Sequence, residues 1–288
     1  MKHLVSLLLV VLCAAVTRAA DLKGLWEFDD PEQPGRATVG EDLKIGPAGV
    51  NEHSSLPDDH GTELAGAVTV TAGVNSWLKA LHRIKKNGGG DEVNQYSFLM
   101  DIFTPGESRG KYRAILQTVE KPDENDADYF INPENKLGVA DMGYSDKAID
   151  PGKWTRLVVT VDLDQVGGSS PKYVTYIDGE FFYAHPGTNK GELNGRFALF
   201  PKGSKKHGVF FFTSDEDDET PPMSVATLAI YDGILSNNEI KQLGKAGDPV
   251  NIPLKNMSLI IKTVAVCLML FLSLFVIPRF LRERMKMA

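Results

Sequence analysis

An all-β chain folded as two antiparallel sheets packed face to face is the architecture this sequence predicts, and three observations carry it. Runs rich in Val, Ile, Thr, Tyr and Phe recur at 96–103, 112–119, 154–163, 209–212 and 225–231, divided by Gly, Pro, Asn and Asp. Helical periodicity is confined to 236–243 and to a weaker pattern over 77–85. The strand at 225–231 comes late and is followed at once by a short capped helix, the pattern of a closing strand in a two-sheet sandwich.

Taken in order, residues 1–20 begin with Lys2 and His3, pass through an apolar core and end on the small residues Ala19 and Ala20, which predicts a secretory signal peptide. Residues 21–247 form the domain. Within it, strands at 172–177 and 180–183 flank Asp178 and Gly179, a two-residue loop that predicts a tight hairpin because its Gly tolerates positive φ. Residues 121–128 and 167–170 read as surface loops, and the segment holding His53, Asp58, Asp59 and His60 reads as a polar loop. Ser236 stands three residues before Glu239, the spacing of a reciprocal N-terminal cap, and Gly244 stops the helix. Residues 248–256 are expected to be a juxtamembrane linker. Residues 257–278 approach the ~20 apolar residues that a bilayer crossing needs, with Lys262 close enough to the end to reach the headgroups. The basic tail at 279–288 reads as a cytoplasmic stop-transfer flank, which leaves the domain extracytoplasmic.

The 288 residues carry 31 Lys and Arg against 38 Asp and Glu, a net charge of −7, and the domain is more acidic still once the basic flanks are set aside. That balance argues against nucleic acid or an anionic surface as a partner. Both cysteines, Cys13 and Cys267, fall in the hydrophobic segments, so the domain holds no disulfide.

Gly24, Leu25, Trp26, Glu27, Phe28 and Asp29 near the start, and Leu235, Ser236, Glu239, Ile240 and Leu243 near the end, resemble the opening and closing signatures of the laminin-G-like, concanavalin A-like lectin-glucanase superfamily. His82, Arg83 and Ile84, the run from Asn87 through Gly88, Gly89 and Gly90, and Asp128, Tyr129, Phe130, Ile131 and Asn132 resemble a bacterial extracytoplasmic subgroup of it. The resemblance implies a jelly-roll sandwich in which the strand of Trp26 and Phe28 lies beside that of Leu228 and Ile230. It says little about chemistry, because the fold hosts lectins, adhesion modules and glycosidases alike.

Three sets of residues are candidates for function. Trp77, His82 and Tyr96 could present an aromatic face to a sugar, with core packing as the competing reading. Asp215, Asp217 and Asp218 sit in an acidic run whose repulsion calcium would relieve, with a solvated loop as the competing reading; calcium is the one cofactor expectation. Glu27, Asp29 and Glu32 resemble the carboxylate strand of jelly-roll glucanases, but Asp30 and Pro31 break that pattern. Motifs for a serine hydrolase, a phosphate loop or a zinc protease are missing from the sequence. The expected function is a membrane-anchored binding module that recognises glycan or a protein partner without converting it. The alternatives are a structural subunit docking on a neighbouring complex, which an exposed apolar patch would mark, and a jelly-roll glycosidase.

Overall fold

The computed structural model describes residues 20–139, 142–164, 171–186 and 192–250. The predicted signal peptide up to Ala19, the loop at 167–170, the span at 257–278 and the tail at 279–288 lie outside them. Among the described residues no helix is long and apolar enough to cross a membrane.

Two antiparallel sheets form the domain. The larger has eight strands: β1 (Asp21–Trp26), β3 (Val50–Pro57), β4 (Glu63–Val70), β6 (Gln95–Phe103), β11 (Thr155–Asp162), β12 (Pro171–Ile177), β13 (Glu180–Pro186) and β15 (Met223–Asp232). The smaller has seven: β2 (Lys44–Ile45), β5 (Leu78–Ala80), β7 (Arg113–Gln117), β8 (Tyr129–Ile131), β9 (Lys136–Val139), β10 (Gly143–Ala148) and β14 (Val209–Phe211).

β15 organises the larger sheet. Along one side it pairs with β6 for nearly its whole length, from Ser224 opposite Phe103 to Asp232 opposite Tyr96. Its other side is shared end to end: Met223, Ser224 and Val225 pair with β4, and Leu228 to Asp232 pair with β1. The register shifts between Val225 and Thr227, close to where one neighbour gives way to the other. Trp26 stands opposite Leu228 and Gly24 opposite Ile230, so the first and last strands are neighbours. Gly24 is needed there for space: a Cβ on it would stand 2.2 Å from the Trp26 ring. β1 ends at Trp26, and Phe28 adopts a positive φ of 53°, so Phe28 belongs to the turn that leaves the strand.

Alternate residues of β6, namely Tyr96, Phe98, Met100 and Ile102, join one core with Leu116, Tyr129, Ile131 and Phe211 of the smaller sheet. Phe98 meets Tyr129 and Phe211 edge-on at 6.3 and 6.1 Å between ring centres. Each such side chain withdrawn from water stabilises the fold by about 1.5–3 kcal/mol, less its ordering entropy.

Ser97, Leu99 and Asp101 of β6 face outward and are covered by the end of the domain. Helix α1 (Asn237–Leu243) begins with the predicted reciprocal cap: the Glu239 N–H donates to Ser236 Oγ at 3.3 Å, and the Ser236 N–H donates to Glu239 Oε2 at 2.7 Å. Its Ile240 and Leu243 pack on Leu99, Val158, Ala229 and Tyr231. Gly244, at φ 70°, then turns the chain back across the sheet. The hairpin between β12 and β13 also forms as predicted, with Asp178 and Gly179 at φ 49° and 82°.

Two local expectations fail. The pattern over 77–85 is no helix, since 78–80 is β5, clamped between β14 and β2 by backbone pairing. Tertiary pairing outweighs local periodicity there. His53 lies within the edge strand β3, which exposes residues on both faces and so lacks the apolar alternation that would mark it. Asp58 closes the β3–β4 connection, accepting from the His60 and Thr62 N–H groups at 2.9 and 2.7 Å.

Candidate functional site

The structure separates Trp77, His82 and Tyr96. Tyr96 is fully buried between the sheets, where its hydroxyl donates to the Phe197 carbonyl at 3.0 Å and burial pushes its pKa up. His82 is also fully buried: its Nδ1 accepts from the Ile84 N–H at 3.1 Å, its Nε2 finds no hydrogen-bond partner, and its ring meets His207 edge-on at 4.9 Å. Burial, reinforced by His207, lowers its pKa to about 3, so the ring is neutral at physiological pH. Trp77 alone of the three is only partly buried. It stands on the outer face of the smaller sheet with its ring edge-on to Phe210 at 5.4 Å.

Register builds a row across that outer face. Lys44 pairs with Lys79, Lys79 with Phe210 and Phe210 with Gln117, so four neighbouring strands contribute one side chain each. The Lys79 ammonium lies 4.6 Å from the centre of the Phe210 ring. Farther along, Gln117 donates to the Asn125 carbonyl, and Ala127 packs with Ala114 and Phe130. The stretch 118–127 therefore covers the β7–β8 half of the face and leaves Lys44, Lys79 and Trp77 at the other half. Lys44 and Lys79 were not singled out by sequence, because only strand pairing reveals that two lysines 35 positions apart are opposite each other.

Asp215, Asp217 and Asp218 do not converge. Asp217 accepts from the Val74 N–H at 3.0 Å, and Asp218 points into solvent in the 3-10 turn Asp217–Glu219. Asp215 instead gathers with Asp126 and Glu219, one carboxylate oxygen from each lying within 4.8 Å of the others. The repulsion is visible in Glu219, whose pKa is raised by burial first and then by Asp126, Glu216 and Asp215, against the pull of a 2.7 Å hydrogen bond from Ser214. An oxygen-only set of carboxylates fits a hard cation such as calcium. Asp126 comes from the loop at 121–128, which is anchored inward by Asp128. That carboxylate is fully buried and accepts from the Thr118 N–H at 2.7 Å and from Arg196 Nε at 2.8 Å.

Glu27 and Asp29 follow the end of β1 and line a groove of about 400 Å3 with Glu63 and Asp248. Glu27 accepts from the Thr38 hydroxyl at 2.7 Å. The positive φ of Phe28 removes the strand alternation on which a shared face for these carboxylates would rest.

This geometry defines a class, a two-sheet antiparallel β-sandwich with one outer face closed by its own chain and the other partly open. No family model matches the chain, and no curated protein matches it. Among solved structures it is similar to domain 4 of AbnA, a GH43 extracellular arabinanase from Geobacillus stearothermophilus solved in complex with arabinotriose, at 15% identity and a TM-score of 0.50, over 78% of this chain and 99% of that one. The receptor binding domain of botulinum neurotoxin type G aligns over 77% of this chain and 50% of its own at 12% identity and a TM-score of 0.47. Trypanosoma rangeli sialidase aligns over 80% and 33% at 11% identity and 0.48. At such identities the first likeness concerns the fold alone.

Proposed function

We propose that this chain is a laminin-G-like, concanavalin A-like jelly-roll module, carried outside the cytoplasm on a span at 257–278, that binds glycan, with an extracytoplasmic protein as the other class of partner, and does not convert what it binds. The observation that carries the reading is Trp77, an indole only partly buried on a rigid sheet and steadied by Phe210. A fixed aromatic platform with low ordering cost is what the C–H face of a pyranose or furanose ring requires. Of the large apolar side chains among the described residues, only Tyr112 and Phe181 are exposed, one beside β7 and one on β13, and they give no contiguous patch for a docking subunit.

A glycan array probed with the full chain in mild detergent tests this, with arabino-oligosaccharides as the first neutral probes. Saturable binding that Trp77→Ala abolishes is the expected result, and binding indifferent to Trp77 overturns the platform. Turnover of a β-glucan that disappears on Glu27→Gln would overturn the non-catalytic part of the reading. Calcium, as an accessory ion, would take oxygens from Asp126, Asp215 and Glu219. Thermal melting with calcium against EDTA then shows a higher midpoint with the ion, by mass action on the folded state; an unchanged midpoint returns these carboxylates to solvent.

A further inference from the structure

We infer that the glycan taken by the outer face of the smaller sheet is an acidic one, with a carboxylate or sulfate ester of the sugar seated between Lys44 and Lys79 while its ring lies on Trp77. The inference rests on the glycan reading above and adds to it the charge of the ligand.

The starting observation is the register. Lys44 and Lys79 are direct partners across an antiparallel pair, the position at which like charges repel and opposite charges are ordinarily found. The surroundings do not compensate them. Among the described residues neither lysine makes an ion pair, and Glu120, the carboxylate that acts on Lys79, is already engaged with Lys206 at 2.7 Å. Lys79 is half-buried, and its ammonium is disfavoured by that burial first and by Lys44 second, with Glu120 only partly offsetting. This concentration of positive charge stands out on a chain whose net charge is −7.

The aromatic and cationic parts belong to one surface. Trp77 and Lys79 both touch Phe210, the indole edge-on at 5.4 Å and the ammonium at 4.6 Å from the ring centre, so they stand on the same side of the sheet. A sugar stacked on Trp77 thus places a ring substituent within reach of the ammonium groups. An anionic oxygen there relieves the Lys44–Lys79 repulsion and gains charge-assisted hydrogen bonds, which a neutral hydroxyl cannot match. Free-state repulsion that binding removes is a differential interaction, and it selects acidic over neutral sugars.

Affinity electrophoresis of the full chain in mild detergent tests the inference, with polygalacturonate (carboxylate), dextran sulfate (sulfate) or unsubstituted dextran in the gel. Retardation by at least one anionic polymer and little by dextran is expected, and the two anionic gels tell which group is preferred. Lys79→Gln should weaken it about tenfold and Lys44→Gln about threefold, Lys79→Arg should retain most of it, and Trp77→Ala should weaken it without changing the charge. Lys241→Gln, on α1, serves as the control and should leave it unchanged. Thermal midpoints of the lysine variants at or above the parent's show that they fold. Equal retardation by dextran overturns the charge preference and leaves the glycan reading standing. Retardation by anions that ignores Trp77 and is equally sensitive to Lys241 is ion exchange and overturns the site. No retardation by any of the three, together with no binding on the array, overturns both readings.

Discussion

The outer face of the larger sheet carries Leu99, Val158, Ala229 and Tyr231 beneath α1, whereas the corresponding face of the smaller sheet leaves Lys44, Lys79 and Trp77 in contact with water. On the first face one pair of charges is wholly buried. Arg156 and Asp101 are fully inaccessible and meet in a two-pronged pair, Nε and Nη2 each at 2.7 Å from a carboxylate oxygen. What remains of their hydrogen-bonding capacity is met by the covering segment: Arg156 donates to the Leu243 carbonyl and, at 2.8 Å, to that of Asp248, while Asp101 accepts from the Gly247 N–H at 3.1 Å. Taking two charges out of water is costly, and the pair is tolerated because its lone pairs and protons are satisfied. On the second face two like charges share one row with no such closure. The same fold thus finishes one surface internally, with its own C-terminal segment, and leaves part of the other open to solvent.

Four measurements test this contrast. The largest effect belongs to the buried pair. Asp101→Ala strands the Arg156 guanidinium and should cost about 3–5 kcal/mol in chemical denaturation, whereas joint replacement of Asp101 and Arg156 by apolar residues should cost clearly less than the two single changes summed. Strict additivity would mean that Asp101 and Arg156 are not energetically coupled.

Acid should come next, through the interior between the two faces. His82 and His185 are neutral in the fold, lowered by burial to about 3 and about 4 respectively. As pH falls below the ordinary histidine value of ~6.5 the unfolded chain takes up these protons before the folded one does, so stability is complete above that value and declines below it. The decline ends near pH 3 for His82 and near pH 4 for His185. Each histidine should remove up to about 1.4 kcal/mol per pH unit within its window, or about 2 kcal/mol by pH 5. His82→Asn should reduce the slope between pH 6 and 4.5, and an unaltered slope would show that His82 gains a proton without unfolding.

Ser236→Ala removes the cap that starts the covering helix and should cost about 1 kcal/mol, with faster amide exchange confined to 237–244. An effect spread over both sheets would contradict the local role. The smallest change is expected on the open face, where Lys44→Gln or Lys79→Gln should be neutral or should stabilise by about 0.2–0.5 kcal/mol through lost repulsion, an effect that added salt suppresses. Destabilisation by either would show that the lysine is already compensated in the free protein.

By itself the sequence determined whatever depends on a few neighbouring residues. Ser236 with Glu239, Gly244, and Asp178 with Gly179 carry their own turn and cap chemistry, and the Val- and Phe-rich runs carry the composition of strands. The adjacency of β1 and β15 was legible for a different reason, through a resemblance between two distant segments. Tertiary structure alone decided which side of a strand faces the interior and which distant groups share a surface. Tyr96 and His82 went inward while Trp77 stayed at the surface, and a one-residue shift in strand register would have reversed such assignments. The tendency of 77–85 toward helix yielded to backbone pairing on both sides of β5, and β3 was hidden because an edge strand wet on both faces has no apolar alternation to read. Asp126 joined Asp215 and Glu219, and Lys44 came to face Lys79, because strand pairing and loop anchoring bring together residues whose repulsion or attraction has no expression in the linear chain.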